Sequence, residues 1–82
     1  MIKVIIYTKN NCPNCNRAKF MFENCPVDVD LEERNIDERE EYKFELTNIL
    51  NSNTLPTFLL GKGEPLRGFD ENLGNLQEVL GL

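Results

Sequence analysis

A short apolar run followed closely by a helix start is the feature that most restricts the fold of this chain. Ile2 and the segment from Val4 to Ile6 are rich in β-branched residues, which is typical of a strand buried on both faces. After a polar break, Pro13 suits the first turn of a helix, where its missing N–H costs nothing. One face then repeats at helical spacing through Cys15, Ala18, Met21, Phe22 and Cys25. Pro26 predicts the end of this helix.

The middle of the chain predicts a second strand and a second helix. The strand is expected near Leu31 to Asn35, where charged residues interrupt the alternation. Asp37 is a favourable N-cap, and the glutamates after it fill a first turn where the helix dipole favours anions. This acidic cluster is interpreted as a capped, solvated helix start. The apolar stripe of the second helix comprises Tyr42, Leu46, Ile49 and Leu50.

The C-terminal part predicts a hairpin and a third helix. Thr57 to Leu60 is a short apolar strand, and the turn Gly61-Lys62-Gly63 allows Glu64 to Gly68 to return as its antiparallel partner. Asp70 is predicted to cap the third helix, which Gly81 follows. The apolar face of that helix comprises Leu73, Leu76, Val79 and Leu80.

These elements define the fold class. Their order is β-α-β-α-β-β-α, and an early β-α-β unit predicts a parallel strand pair with a right-handed crossover. The late hairpin makes the sheet mixed, and the apolar stripes place helices on both of its faces. An α/β fold in a single domain over residues 1–82 is therefore expected.

Composition excludes several functions. Lysine and arginine total 9 against 14 aspartates and glutamates, and a net charge of −5 makes a poor non-specific nucleic-acid binder. The absence of histidine excludes Ser-His-Asp and Cys-His catalysis and histidine metal sites. Neither a membrane span nor a secretory signal with a small-residue cleavage site is evident. A cytoplasmic protein without nucleic-acid or membrane partners is expected.

The motif Cys12-Pro13-Asn14-Cys15 carries the chemistry. Its place at the end of a strand and the start of a helix puts Cys12 where free N–H groups and the helix dipole stabilise a thiolate. Cysteines of such motifs commonly have lowered pKa values. Cys15 lies one turn further, on the inward face, close enough to form a disulfide. Cys12 is therefore expected to attack a substrate disulfide, and Cys15 to resolve the mixed disulfide.

Other interpretations of the cysteines stay open at this point. A zinc site needs four ligands, so three cysteines would require a carboxylate or a second chain. An iron–sulfur centre shared by two chains, a pair of inert buried thiols and an adaptor without exchange activity are further alternatives. Cys25 falls on the core stripe and is expected to be a buried, inactive thiol.

Four segments taken together resemble one family. Tyr7-Thr8-Lys9, Cys12-Pro13-Asn14-Cys15, Thr54-Leu55-Pro56 and Gly68-Phe69-Asp70 are similar, in order and spacing, to the glutaredoxin and NrdH-redoxin branch of the thioredoxin superfamily. The resemblance implies a thioredoxin fold with a four-stranded mixed sheet and three helices. It also implies exchange of electrons with protein disulfides or glutathione mixed disulfides, with no metal or organic cofactor and with glutathione as co-substrate.

The resemblance further implies binding roles. The Leu55–Pro56 bond is expected to be cis and packed against the cysteine pair, with the backbone of Leu55 pairing with a bound peptide. Gly68, Phe69 and Asp70 match positions that hold the γ-glutamyl end of glutathione, and Lys9 matches a lysine near the thiolate and the glycine carboxylate. The residues expected to contact substrate or glutathione are Lys9, Pro13, Thr54, Leu55, Pro56, Gly68, Phe69 and Asp70.

Departures from the family pattern leave the electron donor open. Arg67 stands where glutaredoxins have the first of two glycines, and Leu66 where NrdH-redoxins have tryptophan. The acidic pair Asp70-Glu71 resembles glutaredoxins, but Pro13-Asn14 lacks their tyrosine. The chain is therefore expected to take electrons from glutathione or, as an NrdH-type carrier, from thioredoxin reductase. Ribonucleotide reductase is an expected client, and a monomer is expected.

Overall fold

Four strands form one mixed sheet in a computed structural model of the chain, which describes residues 2–61 and 63–82. The sheet order is β2-β1-β3-β4, with β1 parallel to β2 and the other neighbours antiparallel. This arrangement confirms the predicted four-stranded mixed sheet. The strands are β1 at Ile2–Thr8, β2 at Val29–Asn35, β3 at Thr57–Leu60 and β4 at Leu66–Arg67.

Three helical segments connect and follow the strands in the predicted order. Helix α1 spans Pro13–Glu23 and begins with the proline at its first position. Helix α2 spans Glu40–Phe44 and continues as a π-helical turn at Glu45–Ile49. A 3₁₀ turn at Asp70–Asn72 leads into α3 at Leu73–Leu80.

The alternation of β1 separates two packed faces of the sheet. Val4 and Ile6 lie on one face, in the core formed with the buried residues of α1 and α3. Tyr7 lies on the opposite face, where its hydroxyl bonds to Glu45 in the α2 segment. Helices therefore cover both faces, as predicted. The buried core comprises Val4, Ile6, Ala18, Phe22, Phe58, Phe69, Leu76 and Leu80.

The strand boundaries differ modestly from those predicted. Strand β1 continues past Ile6 to Thr8, and β2 begins at Val29, because its half-buried side chain pairs in register with Ile2. The returning strand of the hairpin is only Leu66–Arg67. The predicted turn before it includes Lys62, and the predicted N-terminal segment includes Met1; both residues lie outside the described part of the chain.

Two predictions for the second helix are wrong. Asp37 does not cap it: the helix begins at Glu40, and the Asp37 carboxylate instead accepts a 2.9 Å hydrogen bond from the N–H of Asn10. Ile49 is 62% exposed, although the stripe placed it in the core. The π-helical turn changes the angle between successive residues, so spacing read at 3.6 residues per turn fails after Glu45.

The third helix also starts differently. Asp70 makes no side-chain capping bond, and the α-helical turns begin only at Leu73. Leu76 and Leu80 are buried as predicted, whereas Val79 is 40% exposed. Gly81 ends the helix in the left-handed conformation, at φ 73°, which glycine adopts without strain. None of the helices over residues 2–61 and 63–82 is long and apolar enough to cross a bilayer.

Candidate active site

The two cysteines of the motif meet at the N-terminus of α1. Cys12 is the N-cap residue and Cys15 lies in the first turn, with 5.2 Å between their Cα atoms and a disulfide joining them. Cys12 is 6% exposed and Cys15 only 1%, so Cys12 is the more exposed residue of the pair, as predicted, although both are largely covered. The N–H of Cys15 donates a 3.2 Å hydrogen bond to Sγ of Cys12. That donor would stabilise a thiolate on Cys12 after reduction.

A shallow groove gives access to Cys12. Its volume is about 370 Å³, and Cys12 is the cysteine that lines it. The predicted residues Lys9, Pro13 and Leu55 line the same groove. The lining residues are Lys9, Asn11, Cys12, Pro13, Asn14 and Leu55.

The loop before Cys12 is held by side chains at the end of β2 and just after it. The Asn10 N–H bonds to Asp37, and the Asn10 amide oxygen accepts a 3.0 Å bond from Asn35. Asn11 then turns the chain with a positive φ of 56°, a conformation that asparagine tolerates better than most residues. The sequence did not predict these two contacts, because an aspartate at position 37 is equally compatible with a helix cap and with a hydrogen bond to a loop.

The second predicted segment forms the other side of the groove. The Leu55–Pro56 peptide bond is cis, as the resemblance implied. Leu55 lines the groove, while Thr54 is half-buried and Pro56 is buried. The Pro56 carbonyl accepts a 2.9 Å hydrogen bond from the N–H of Gly68. This bond brings the third predicted segment next to the second.

Two buried hydroxyls beneath this segment were missed by the sequence reasoning. Ser52 is 4% exposed and Thr57 is fully buried, and their oxygens are 2.9 Å apart. The Thr57 hydroxyl donates to the Thr54 carbonyl at 2.6 Å, and the Thr54 N–H donates to Ser52 Oγ at 3.3 Å. The one signal was Thr57 itself, a polar residue opening an otherwise apolar strand; Ser52 gave none.

The segment Gly68-Phe69-Asp70 divides into different environments. Gly68 is buried at φ 96°, and Phe69 is part of the core, so its ring does not face the groove. The guanidinium of Arg17 lies 5.3 Å from the centre of that ring. Asp70 is exposed at the start of the 3₁₀ turn. Of the three, only Gly68 has a described hydrogen bond to the Thr54-Leu55-Pro56 segment.

Neither Arg67 nor Cys25 lines the groove. Arg67 donates a 2.7 Å hydrogen bond to the carbonyl of Leu50, spanning the loop that leads to Thr54. Cys25 is half-buried against the core rather than fully buried, and its sulfur lies within hydrogen-bond distance of two acceptors, the carbonyls of Phe22 and Val27. Among residues 2–61 and 63–82, no three cysteine, aspartate or glutamate side chains converge at metal-binding distance.

An ionic cluster lies on the opposite face of the sheet. The Tyr7 hydroxyl donates to Glu45 at 2.8 Å, and Arg34 donates to both groups. Burial of Tyr7, with this bond to Glu45, raises the pKa of the phenol. The bond from Arg34 lowers the pKa of the Glu32 carboxyl. This cluster ties β1 and β2 to the α2 segment.

One family model matches this chain. It is described as Glutaredoxin and covers residues 4–63, which include the cysteine motif, the cis proline and strand β3. A search of curated proteins finds no match.

Solved structures of two kinds are similar to the whole chain. The thioredoxin-like protein BC3987 is 28% identical, with a TM-score of 0.76, over 94% of this chain and 99% of its own. Glutaredoxin from Brucella melitensis is 29% identical, with a TM-score of 0.66, over 98% and 89%. Glutaredoxin 1 from Francisella tularensis, complexed with cacodylate, is 28% identical, with a TM-score of 0.65, over all of both chains.

Proposed function

The chain belongs to the glutaredoxin family, and from this premise we propose that it passes electrons between its Cys12–Cys15 pair and the disulfides of proteins or of glutathione adducts. Membership of the family implies thiol–disulfide oxidoreductase activity. The observation that carries the finer proposal is the position of the pair at the N-terminus of α1, where Cys12 rather than Cys15 lines a groove together with Lys9 and Leu55.

The proposed reaction begins with the reduced pair. The Cys12 thiolate attacks one sulfur of the substrate disulfide, a Cys12–substrate disulfide forms, and the second substrate sulfur leaves as a thiolate that takes up a proton. Cys15, deprotonated to the thiolate, then attacks Sγ of Cys12 and expels the first substrate sulfur. The substrate gains two electrons, and the protein ends with the Cys12–Cys15 disulfide. The Cα separation of 5.2 Å lies in the normal range for this bond.

We propose glutathione as the electron donor. Lys9 is an exposed cation on the groove that holds Cys12, and it can attract the carboxylates of glutathione. The backbone of Leu55 borders the same groove, where a peptide can add as a short strand. The Gly68 N–H bonds to the carbonyl of Pro56, next to Leu55, whereas the side chain of Phe69 is packed in the core. Phe69 can therefore contribute to glutathione binding only through its backbone.

A second donor is favoured by a specific observation. Arg67 occupies the position of a family glycine, and its side chain bridges to Leu50 beside the expected γ-glutamyl site. A carrier reduced by thioredoxin reductase would need no such site. By resemblance, we propose ribonucleotide reductase as the client. We also propose that the protein acts as a monomer in the cytoplasm.

The test starts from the oxidised protein. Reduced glutathione is added in one arm and thioredoxin reductase with NADPH in the other, and recovered thiols are counted by alkylation and intact mass. Rapid gain of two alkylated cysteines with glutathione supports the main proposal, and gain only in the reductase arm supports the second donor. A pair that remains oxidised in both arms, yet is reduced by dithiothreitol, contradicts both.

A further inference from the structure

The buried hydroxyls of Ser52 and Thr57 have a geometry that bears on client binding. The Thr57 hydroxyl donates to the Thr54 carbonyl at 2.6 Å. Ser52 Oγ lies 2.9 Å from Thr57 Oγ1 and 3.4 Å from the same carbonyl, so it supports that contact. The Thr54 N–H closes the ring by donating to Ser52 Oγ. Both backbone polar groups of Thr54 are therefore held by buried side chains, and such closed neutral networks are mutually reinforcing.

The hydrogen bonds to Thr54 also fix the orientation of the peptide group between Thr54 and Leu55. The Thr54–Leu55 peptide is trans, so its carbonyl and its N–H point in opposite directions. The carbonyl points to the buried hydroxyl of Thr57. The N–H of Leu55 must then point away from that hydroxyl, and it has no partner among the hydrogen bonds of the described residues. Leu55 itself lines the groove beside Cys12.

We propose that Thr57, supported by Ser52, is a positioning residue that directs the Leu55 N–H toward the backbone of a bound peptide disulfide. This inference rests on the proposed function, because it concerns how a client is held while Cys12 attacks it. Thr57 is fully buried and does not line the groove, so it does not touch the client. It sets the orientation of one donor, and its loss affects peptide binding more than sulfur chemistry.

The test compares a disulfide that can hydrogen-bond to the Leu55 backbone with one that cannot. A disulfide-linked peptide offers a backbone to the groove, whereas bis(2-hydroxyethyl) disulfide offers none. Pre-reduced wild type, Thr57→Val, Thr57→Ser and Ser52→Ala are reacted with each in single turnovers over a range of concentrations. Thr47→Val is the matched control, since its hydroxyl also bonds a backbone carbonyl, that of Lys43, but on the α2 segment.

The expected result is a split between binding and chemistry. In Thr57→Val the half-saturating peptide concentration rises about five- to tenfold, the worth of one hydrogen bond, with the maximal rate retained. The small disulfide reacts at the wild-type rate, Thr57→Ser restores peptide binding, and Thr47→Val changes neither. An unchanged half-saturating concentration in Thr57→Val, or equal slowing with both disulfides, overturns the inference.

A measurement on the wild type keeps the inference testable if Thr57→Val does not fold. Amide hydrogen exchange is expected to be fast at Leu55 and slow at Thr54 in the free protein. Leu55 should become protected when Cys15→Ser is trapped as a mixed disulfide with the peptide. A Leu55 amide that is protected before binding, or still unprotected after it, overturns the inference. Wild type that reacts with neither disulfide overturns the proposed function, and the inference falls with it.

Discussion

The cysteine end of the molecule and the α2 face are built from different interactions. Around the groove, position is set mainly by neutral contacts: the Cys15 N–H donates to the Cys12 sulfur, the Gly68 N–H donates to the Pro56 carbonyl, and the hydroxyls of Ser52 and Thr57 are buried together. The Asp37 carboxylate, which holds the Asn10 N–H, is a charged exception there. On the α2 face, position is set by charge, with Arg34 bonded to Glu45 and Tyr7. The first region presents reactive and unpaired groups, whereas the second leaves its charged groups paired.

This difference assigns separate tasks to the two regions. Neutral hydroxyls fix a backbone without introducing a charge that would alter the reactivity of a nearby sulfur. The half-buried ion cluster fixes α2 against the sheet, where no chemistry depends on its electrostatics. Changes at the Cys12 sulfur should therefore act mainly on exchange, and changes in the ion cluster on the α2 face should act mainly on stability.

The largest effect is expected for Cys12→Ser. No other thiol lines the groove among the described residues, and a serine hydroxyl is far less nucleophilic than a thiolate near neutral pH, so disulfide exchange should be abolished. Single-turnover reduction of a peptide disulfide measures this loss. Cys25→Ser is the matched control: it removes the third thiol and should keep the wild-type rate. Activity in Cys12→Ser above a few percent of wild type would contradict the role of Cys12.

A change of product rather than rate is expected for Cys15→Ser. Cys12 can still attack, but the resulting mixed disulfide lacks its resolving thiolate and should accumulate. Intact mass after reaction with oxidised glutathione should show one added glutathionyl group per chain. Failure to detect the adduct would assign resolution to another group.

The sequence predicts the first of these regions better than the second. The apolar run of β1 and Pro13 are local signals, and they located the cysteine motif at a strand-to-helix turn correctly. Thr54-Leu55-Pro56 carried its information only through resemblance, since spacing alone does not show a cis bond. The Ser52–Thr57 contact depends on the path of the loop between them, which the local pattern of residues does not specify.

On the α2 face, helical periodicity failed for a physical reason. The stripe assumed uniform α-helical turns, but the π-helical turn at Glu45–Ile49 rotates later residues and leaves Ile49 exposed. The same turn contains Glu45, which bonds to Arg34 and Tyr7. Arg34 lies in β2, where the sequence showed charged residues only as interruptions of the apolar–polar alternation. A tertiary ion cluster of this kind is not visible in any one segment.

An intermediate effect, on stability alone, is expected for Arg34→Met. The variant removes the donor to Glu45 and Tyr7. Because the side chains of Arg34 and Glu45 are about three-quarters covered, its loss should lower the free energy of unfolding by about 1–2 kcal/mol. Chemical denaturation of the reduced protein measures it. Lys3→Met, which removes half-exposed ion pairs to Asp30 and Glu32, is the control and should be near neutral. A large loss of exchange rate in Arg34→Met would break the separation of the two regions.

The smallest effect is a pH dependence that Tyr7 contributes. Its pKa is raised in the folded protein by burial and by the bond to Glu45, so the unfolded chain loses this proton first as pH rises above about 10. The contribution is complete below that pH and is lost as pH rises through the folded pKa. The stability advantage of wild type over Tyr7→Phe should therefore be constant from neutral pH to about pH 9 and shrink above about pH 10. Other phenols and lysines, which titrate in both proteins, largely cancel in this difference. An advantage that stays constant or grows at high pH would mean that the phenol is not shielded on the α2 face, and the contrast between the two regions would lose its electrostatic basis.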